Sequence, residues 1–325
     1  MRSCGGFALV RSLSSRMGRI VMYHDFCAAD ERNPDAVSVA AARAHLEHLS
    51  RHFRVVRLTT MAEQLASGQQ LDSRAVALTI DDGRRNFYDY FFPLLREFQM
   101  PVTFFVVSSF VDGLDWIWTD KVLWLSKQAG VSGELAPANL PRFFRELNRQ
   151  RPEERNRRIA ALSRDAGVKI PQNPPAEYEP CSWRQLREMV ASGLVDVGSH
   201  TVTHAILSSI SDEESWAELV ESRRRIQHCV DQPVLSFCPP NGTPADYRPA
   251  QLEQVKAAGY SCSVTTDFGF VSQHSDPYRL PRIGGGRSDR MVFYKRVDGP
   301  MYYRHRLRTL LGGQTKTEPI PYEGN

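Results

Sequence analysis

Two short stretches of this chain bring together residue types that can hold a metal ion and move a proton. Val76-Ala77-Leu78-Thr79-Ile80 is an apolar run ending in Asp81-Asp82-Gly83, and far downstream stands Gly198-Ser199-His200-Thr201-Val202-Thr203-His204. Histidines at i and i+4 on one helical turn project to the same side, so both imidazoles reach one ion. One carboxylate with two imidazoles leaves coordination positions open, as a hydrolytic metal centre requires. The remaining carboxylate is then free to act as a base. Neighbouring side chains on a strand face opposite ways, so the two aspartates take different roles only if the chain turns there. Gly83 permits that turn.

For these residues to meet, strands must deliver them to one edge. The Val76 run has the composition of a buried parallel strand, and its carboxylates fall at the C-terminal end, where α/β active sites are built. Further strands are expected at Ile20–His24, Val55–Leu58, Val102–Val107, Leu194–Gly198, Val234–Phe237, Ser261–Val264 and Leu280–Ile283. Helices lie between them: from Ser38 to Phe53, from Thr60 to Gly68, from Phe87 to Phe98, and behind capping boxes at Ser182-x-x-Gln185 and Ser211-x-x-Glu214. Seven or eight strands each followed by a helix predict a closed or nearly closed parallel barrel, with an open doubly wound sheet as the competing architecture. Residues of about 112–180 break the alternation as a helical insertion. Residues 1–19 read as an N-terminal extension and 312–325 as a mobile tail too poor in apolar residues to pack.

The 325 residues, 42% of them hydrophobic, suffice for a sizeable core. The formal net charge is +4 and basic residues are spread along the chain, so no nucleic-acid surface is expected. Arginines cluster between Arg142 and Arg164, but glutamates are interleaved. That pattern fits a solvated helical face, with peripheral contact to an anionic membrane surface as the alternative. Six cysteines show no C-x-x-C spacing, which fits reduced thiols in a cytoplasmic protein. No stretch has the length of a membrane span, and no G-x-G-x-x-G or Walker loop follows a strand, so a nucleotide cofactor is not expected.

Thr79-Ile80-Asp81-Asp82-Gly83 followed by His200-Thr201-Val202-Thr203-His204 resembles the first two motifs of the polysaccharide deacetylases, carbohydrate esterase family four. Met22-Tyr23-His24, Pro101-Val102-Thr103-Phe104-Phe105, Phe237-Cys238-Pro239-Pro240-Asn241-Gly242 and Leu280-Pro281-Arg282-Ile283 resemble family landmarks in the expected order. The resemblance covers about residues 20–285 within a catalytic domain of 20–311. It implies a distorted (β/α) barrel of about seven parallel strands and removal of an N-acetyl group from an amino sugar, as oligosaccharide or lipid-linked glycan. It makes Asp81 the base and Asp82, His200 and His204 the ligands of one divalent ion, zinc by ligand type, with cobalt or nickel as substitutes. A backbone N–H at Asn241, on the Pro239–Gly242 turn, would stabilise the oxyanion, with Pro240 beside the substrate.

This chain departs from the family pattern at two points. Cys238 stands where many members carry an arginine that orients the base, and Arg282 is the substitute, either orienting Asp81 or facing substrate. The late Leu-x-His motif is missing; His24 and His274 are the nearest replacements, each read first as structural or exposed. Trp116 and Trp118, at the start of the insertion, are expected to stack on sugar rings beneath a lid, whereas Trp124 and Trp183 belong to helical core faces. Deformylase or cyclic-amide hydrolase chemistry on the same ligands, and carbohydrate binding without catalysis, are the rival readings. For the latter a free base would have no use.

Overall fold

The computed structural model describes residues 4–29, 36–128, 133–286 and 289–311. The expected mobile tail at 312–325 lies outside the described residues. Strands β1 (Arg19–Tyr23), β2 (Phe26–Cys27), β3 (Val37–Ser38), β4 (Arg54–Val55), β5 (Ala75–Ile80), β6 (Val102–Val106), β7 (Val195–Ser199), β8 (Ser236–Phe237), β9 (Cys262–Phe268) and β10 (Leu280–Gly284) alternate with helices. All strand pairings are parallel, and the order β1-β10-β9-β8-β7-β6-β5 closes on itself because β1 also pairs with β5 along its whole length, from Arg19 opposite Val76 to Tyr23 opposite Ile80. Seven strands thus form the barrel. The short β4 pairs with the first residues of β5, while β2 and β3 form a separate pair.

Strand period divides the core. Val76, Leu78 and Ile80 pack outward with Leu46, Leu49, Phe91 and Leu95 of the surrounding helices, whereas Ala75 and Ala77 join Ile20, Phe105 and Val264 in the other cluster, closed by Leu58, Met61 and Leu65. Small residues on the inner face leave room for bulkier ones from neighbouring strands. Thr79 and then Asp81 follow Ala77 at the same two-residue period, which aims Asp81 into the barrel mouth.

Both expected capping boxes form, ahead of helices Trp183–Ala191 and Asp212–Val230. Ser38 caps helix Val39–His52 as expected. The strand expected at Val55–Leu58 is cut short, because Leu58 already begins helix Leu58–Ala66 and is buried there. The first residues, expected only as an extension, contain helix Cys4–Leu13, and helices Arg290–Val297 and Pro300–Leu310 follow β10. The insertion carries helices Trp118–Gln128, Leu140–Asn148 and Pro152–Asp165 around a cluster of its own, with Leu125, Phe143, Phe144, Leu147 and Ile159.

Candidate active site

The parallel strands place their C-terminal ends on one rim, and the ladder continues into the residues beyond them. Asp81 N–H donates to Tyr23 O (3.0 Å), His200 N–H to Val106 O (2.9 Å) and Cys238 N–H to Ser199 O (2.9 Å). The backbone then turns sharply at the residues that carry the chemistry. Asp82 has φ 80°, Gly83 92°, Thr201 69°, His204 56° and Asn241 61°. Left-handed backbone at non-glycine residues is costly and persists where surrounding contacts enforce it, as at functional sites.

The histidine spacing was expected to work through a helical turn, and the structure corrects this: residues 200–204 form an irregular loop. Two left-handed residues, not helical period, bring the rings together, with centroids 4.9 Å apart. The loop is pinned from three sides. Thr201 O and Val202 O accept from the N–H groups of Ser108 and Ser109, Val202 and Thr203 N–H donate to the Glu218 carboxylate (2.6 and 3.0 Å), and Trp118 Nε1 donates to His204 O (3.2 Å). Sequence reasoning missed Glu218, whose only trace there is an acidic residue inside a long helix.

Asp82 Oδ1 lies 3.6 Å from Nε2 of both His200 and His204, and all three residues are buried. That distance is too long for a hydrogen bond. Donors sharing one tetrahedral ion at about 2.0–2.2 Å would stand roughly 3.3–3.6 Å apart, so both carboxylate–imidazole distances fit a divalent cation. The His200 Nδ1 sits 2.6 Å from Cys238 O, which fixes its other nitrogen toward Asp82. Burial pushes His204 down to about 4, whereas at His200 burial is outweighed by Cys238 and Asp82, which raise it, so His200 would shed its proton on binding an ion. Burial opposes ionisation of Asp82, but Arg84 and the two imidazoles outweigh it and hold the carboxyl well below its usual range.

Asp81 is separate from this set. Its Oδ1 accepts from Arg282 Nη1 (2.8 Å), and its Oδ2 lies 3.7 Å from His24 Nε2 and 3.6 Å from Cys238 Sγ. Burial favours its neutral form, yet Arg282 first and His24 next hold it below the usual carboxylate range. Arg282 donates also to Thr265 O (2.9 Å) and toward Cys238 Sγ (3.2 Å). It is buried, with its guanidinium held between Asp81, Thr265 O and Cys238 Sγ. Cys238 offers no guanidinium, and Arg282 reaches Asp81 from β10. His24, just past β1, reaches the site, whereas His274 is exposed in another turn.

The other residues expected to touch substrate are buried. Trp116 and Trp118 are 4% and 3% exposed, so neither offers a free ring face. Trp116 stacks near Tyr178 and donates to Pro171 O, and Trp118 lies under the Arg155 guanidinium at 4.4 Å. Trp118 packs into the insertion's own cluster, and Trp116 into a second one with Val107, Phe110, Ile117 and Tyr178. Pro240 is buried in its turn, where its carbonyl accepts from Gly242 N–H (2.7 Å).

The closed parallel barrel carries its candidate ligand cluster at one mouth, and the sequence model of the polysaccharide deacetylase family matches residues 68–263. The chain therefore belongs to the polysaccharide deacetylases. It is 36% identical over 86 residues to the poly-beta-1,6-N-acetyl-D-glucosamine N-deacetylase of Escherichia coli K12, a stretch of 26% of this chain and 13% of that protein. The fold is shared with the deacetylase PplD of Streptococcus pyogenes (TM-score 0.57, 17% identity, 82% of this chain and 92% of that one). It is shared also with IcaB of Ammonifex degensii (TM-score 0.58, 18% identity, 87% and 97%). Among the described residues no helix is long and apolar enough to cross a membrane.

Proposed function

We propose that this chain is a metal-dependent N-deacetylase acting on an N-acetylated amino sugar of an oligosaccharide or lipid-linked glycan. One observation carries the reading: a buried, ionised carboxylate, Asp81, stands beside a carboxylate and two imidazoles converging on one point. Asp82, His200 and His204 would hold a divalent ion, which would supply Lewis acidity toward the amide carbonyl and water; zinc suits the ligand types, with cobalt or nickel able to replace it.

The chain's own residues do the rest. Asp81 takes a proton from the attacking water while Arg282 keeps its carboxylate ionised and oriented. Left-handed Asn241 stands on the turn that His200 grips through Cys238 O, and its backbone N–H is the donor we assign to the oxyanion. As the C–N bond breaks the amine needs a proton, and His24, within reach of Asp81, delivers it; this takes the place of the absent late histidine motif. The relative from Escherichia coli supports an N-acetylglucosamine substrate by its name, over the short stretch that aligns.

The test is a panel of N-acetylated and N-formylated amino sugars, free and lipid-linked, with acid and amine both quantified. Acetate and amine in equal amounts are expected. Asp81→Asn should keep the metal and lose about 10²–10⁴-fold in rate. Formate release alone would favour a deformylase, and near-normal turnover by Asp81→Asn would remove Asp81 as the base.

A further inference from the structure

The insertion does not present its tryptophans to substrate, yet it touches the ligand set at several points. Arg84 is buried two residues past Asp82. Its Nη2 lies 3.0 Å from Asp82 Oδ2 and 2.6 Å from Oδ1 of Asp120, a buried residue of insertion helix Trp118–Gln128. Its Nη1 pairs with Asp25, whose other oxygen accepts from Asn86 Nδ2 (2.8 Å). With Oδ2 engaged by the guanidinium, Asp82 turns Oδ1 to both imidazoles. The end of the insertion grips the same loop by its backbone: Arg85 N–H donates to Glu179 O (2.8 Å) and Cys181 N–H to Gly83 O (2.9 Å). Two residues before Asp120, Trp118 holds the carbonyl of His204.

We infer that the insertion is a brace for the ligand set: Asp120, acting through Arg84, is a positioning residue that fixes which oxygen of Asp82 faces the histidines, and Trp118 fixes the loop that carries His204. The inference rests on the metal-site part of the function proposed above. Asp120 touches Arg84 and not the reacting groups, and the bond needs an acceptor oxygen on residue 120 more than a charge there. Partners of metal ligands of this kind are typically worth about 10–100-fold in metal affinity.

The experiment is zinc binding by the full chain, stripped of metal and titrated against a chromophoric chelator, with thermal unfolding of each metal-free variant as the folding control. Cobalt absorption reports ligand geometry. Asp120→Ala should bind zinc about 10–100-fold more weakly and shift the cobalt bands, while Asp120→Asn, which keeps an acceptor for Arg84, restores most of the affinity. Trp118→Phe, which keeps the ring and loses the donor, should weaken binding by up to about tenfold, the worth of one hydrogen bond. Trp116→Phe, whose donor serves only loop carbonyls, should bind as wild type. Wild-type affinity in Asp120→Ala, or a loss that Asp120→Asn leaves unrepaired, would overturn the brace. Asp120-dependent zinc binding in a protein that releases no acetate would uphold it and sink the deacetylase assignment instead.

Discussion

Asp81 and Asp82 are neighbours in sequence with opposite surroundings. Asp81 continues the inward face of β5 and meets Arg282, His24 and Cys238, while Asp82 turns left-handed toward two imidazoles and Arg84. Arg282 is what keeps Asp81 ionised against burial, so its loss has a predictable sign. In Arg282→Gln the Asp81 carboxyl rises, because desolvation then acts with less opposition. A base works only when ionised, so the acid limb of kcat/KM should move to higher pH, with activity depressed at neutral pH and partly recovered in alkali. A pH–rate profile with an unmoved acid limb would separate Arg282 from the base. The two motif pairs were legible in the sequence because they sit together in short stretches. Arg282 lies 201 residues from Asp81, and Asp120 lies 36 from Arg84, so their pairing depends on tertiary placement. His24 and Arg282 fall outside the 68–263 stretch that matches the family, and only the barrel brings them to its mouth.

At the scale of elements, strand positions were readable from apolar runs and helix starts from caps such as Ser38, Ser182 and Ser211. The loop at 200–204 was misread as a helical turn because i and i+4 spacing carries no information about backbone sign. The burial of Trp116 and Trp118 was hidden for a related reason: an indole that stacks on sugar and one that fills a core look alike in one dimension. Strand β7 shows how closely an element is fitted to its site. A Cβ on Gly198 would come within 2.4 Å of the Phe105 ring and 2.9 Å of Ser236 Oγ. Gly198→Ala should destabilise the fold by about 1–3 kcal/mol through overpacking. Because His200 stands two residues on, it should also weaken zinc binding. Chemical denaturation and metal titration on one sample measure both, and unchanged values would mean that Phe105 moves aside freely.

Among the described residues, the segment after the first helix meets the segment after β10. Buried Arg19, at the start of β1, donates to Ser14 O (2.8 Å) and to Val297 O (3.1 Å), with its guanidinium 4.4 Å from the centre of the Phe270 ring. Burial lowers it to about 10, which still leaves it charged at neutral pH. Arg19→Met strips carbonyls of their buried donor and should cost about 2–4 kcal/mol, read as a lower denaturant midpoint with the slope unchanged. An unaltered midpoint would show that this junction of the terminal helices with the barrel contributes little. This junction lies at the N-terminal end of β1, opposite the rim on which the ligands converge. The direct measurement is acetate release from an N-acetylated oligosaccharide by chelator-stripped protein as zinc is added back, beside the His200→Ala, His204→Ala double variant. Activity should rise from near zero and saturate at about one ion per chain, with the double variant neither binding the ion nor recovering. Full activity in the stripped protein, or full metal content in the double variant, would contradict the site.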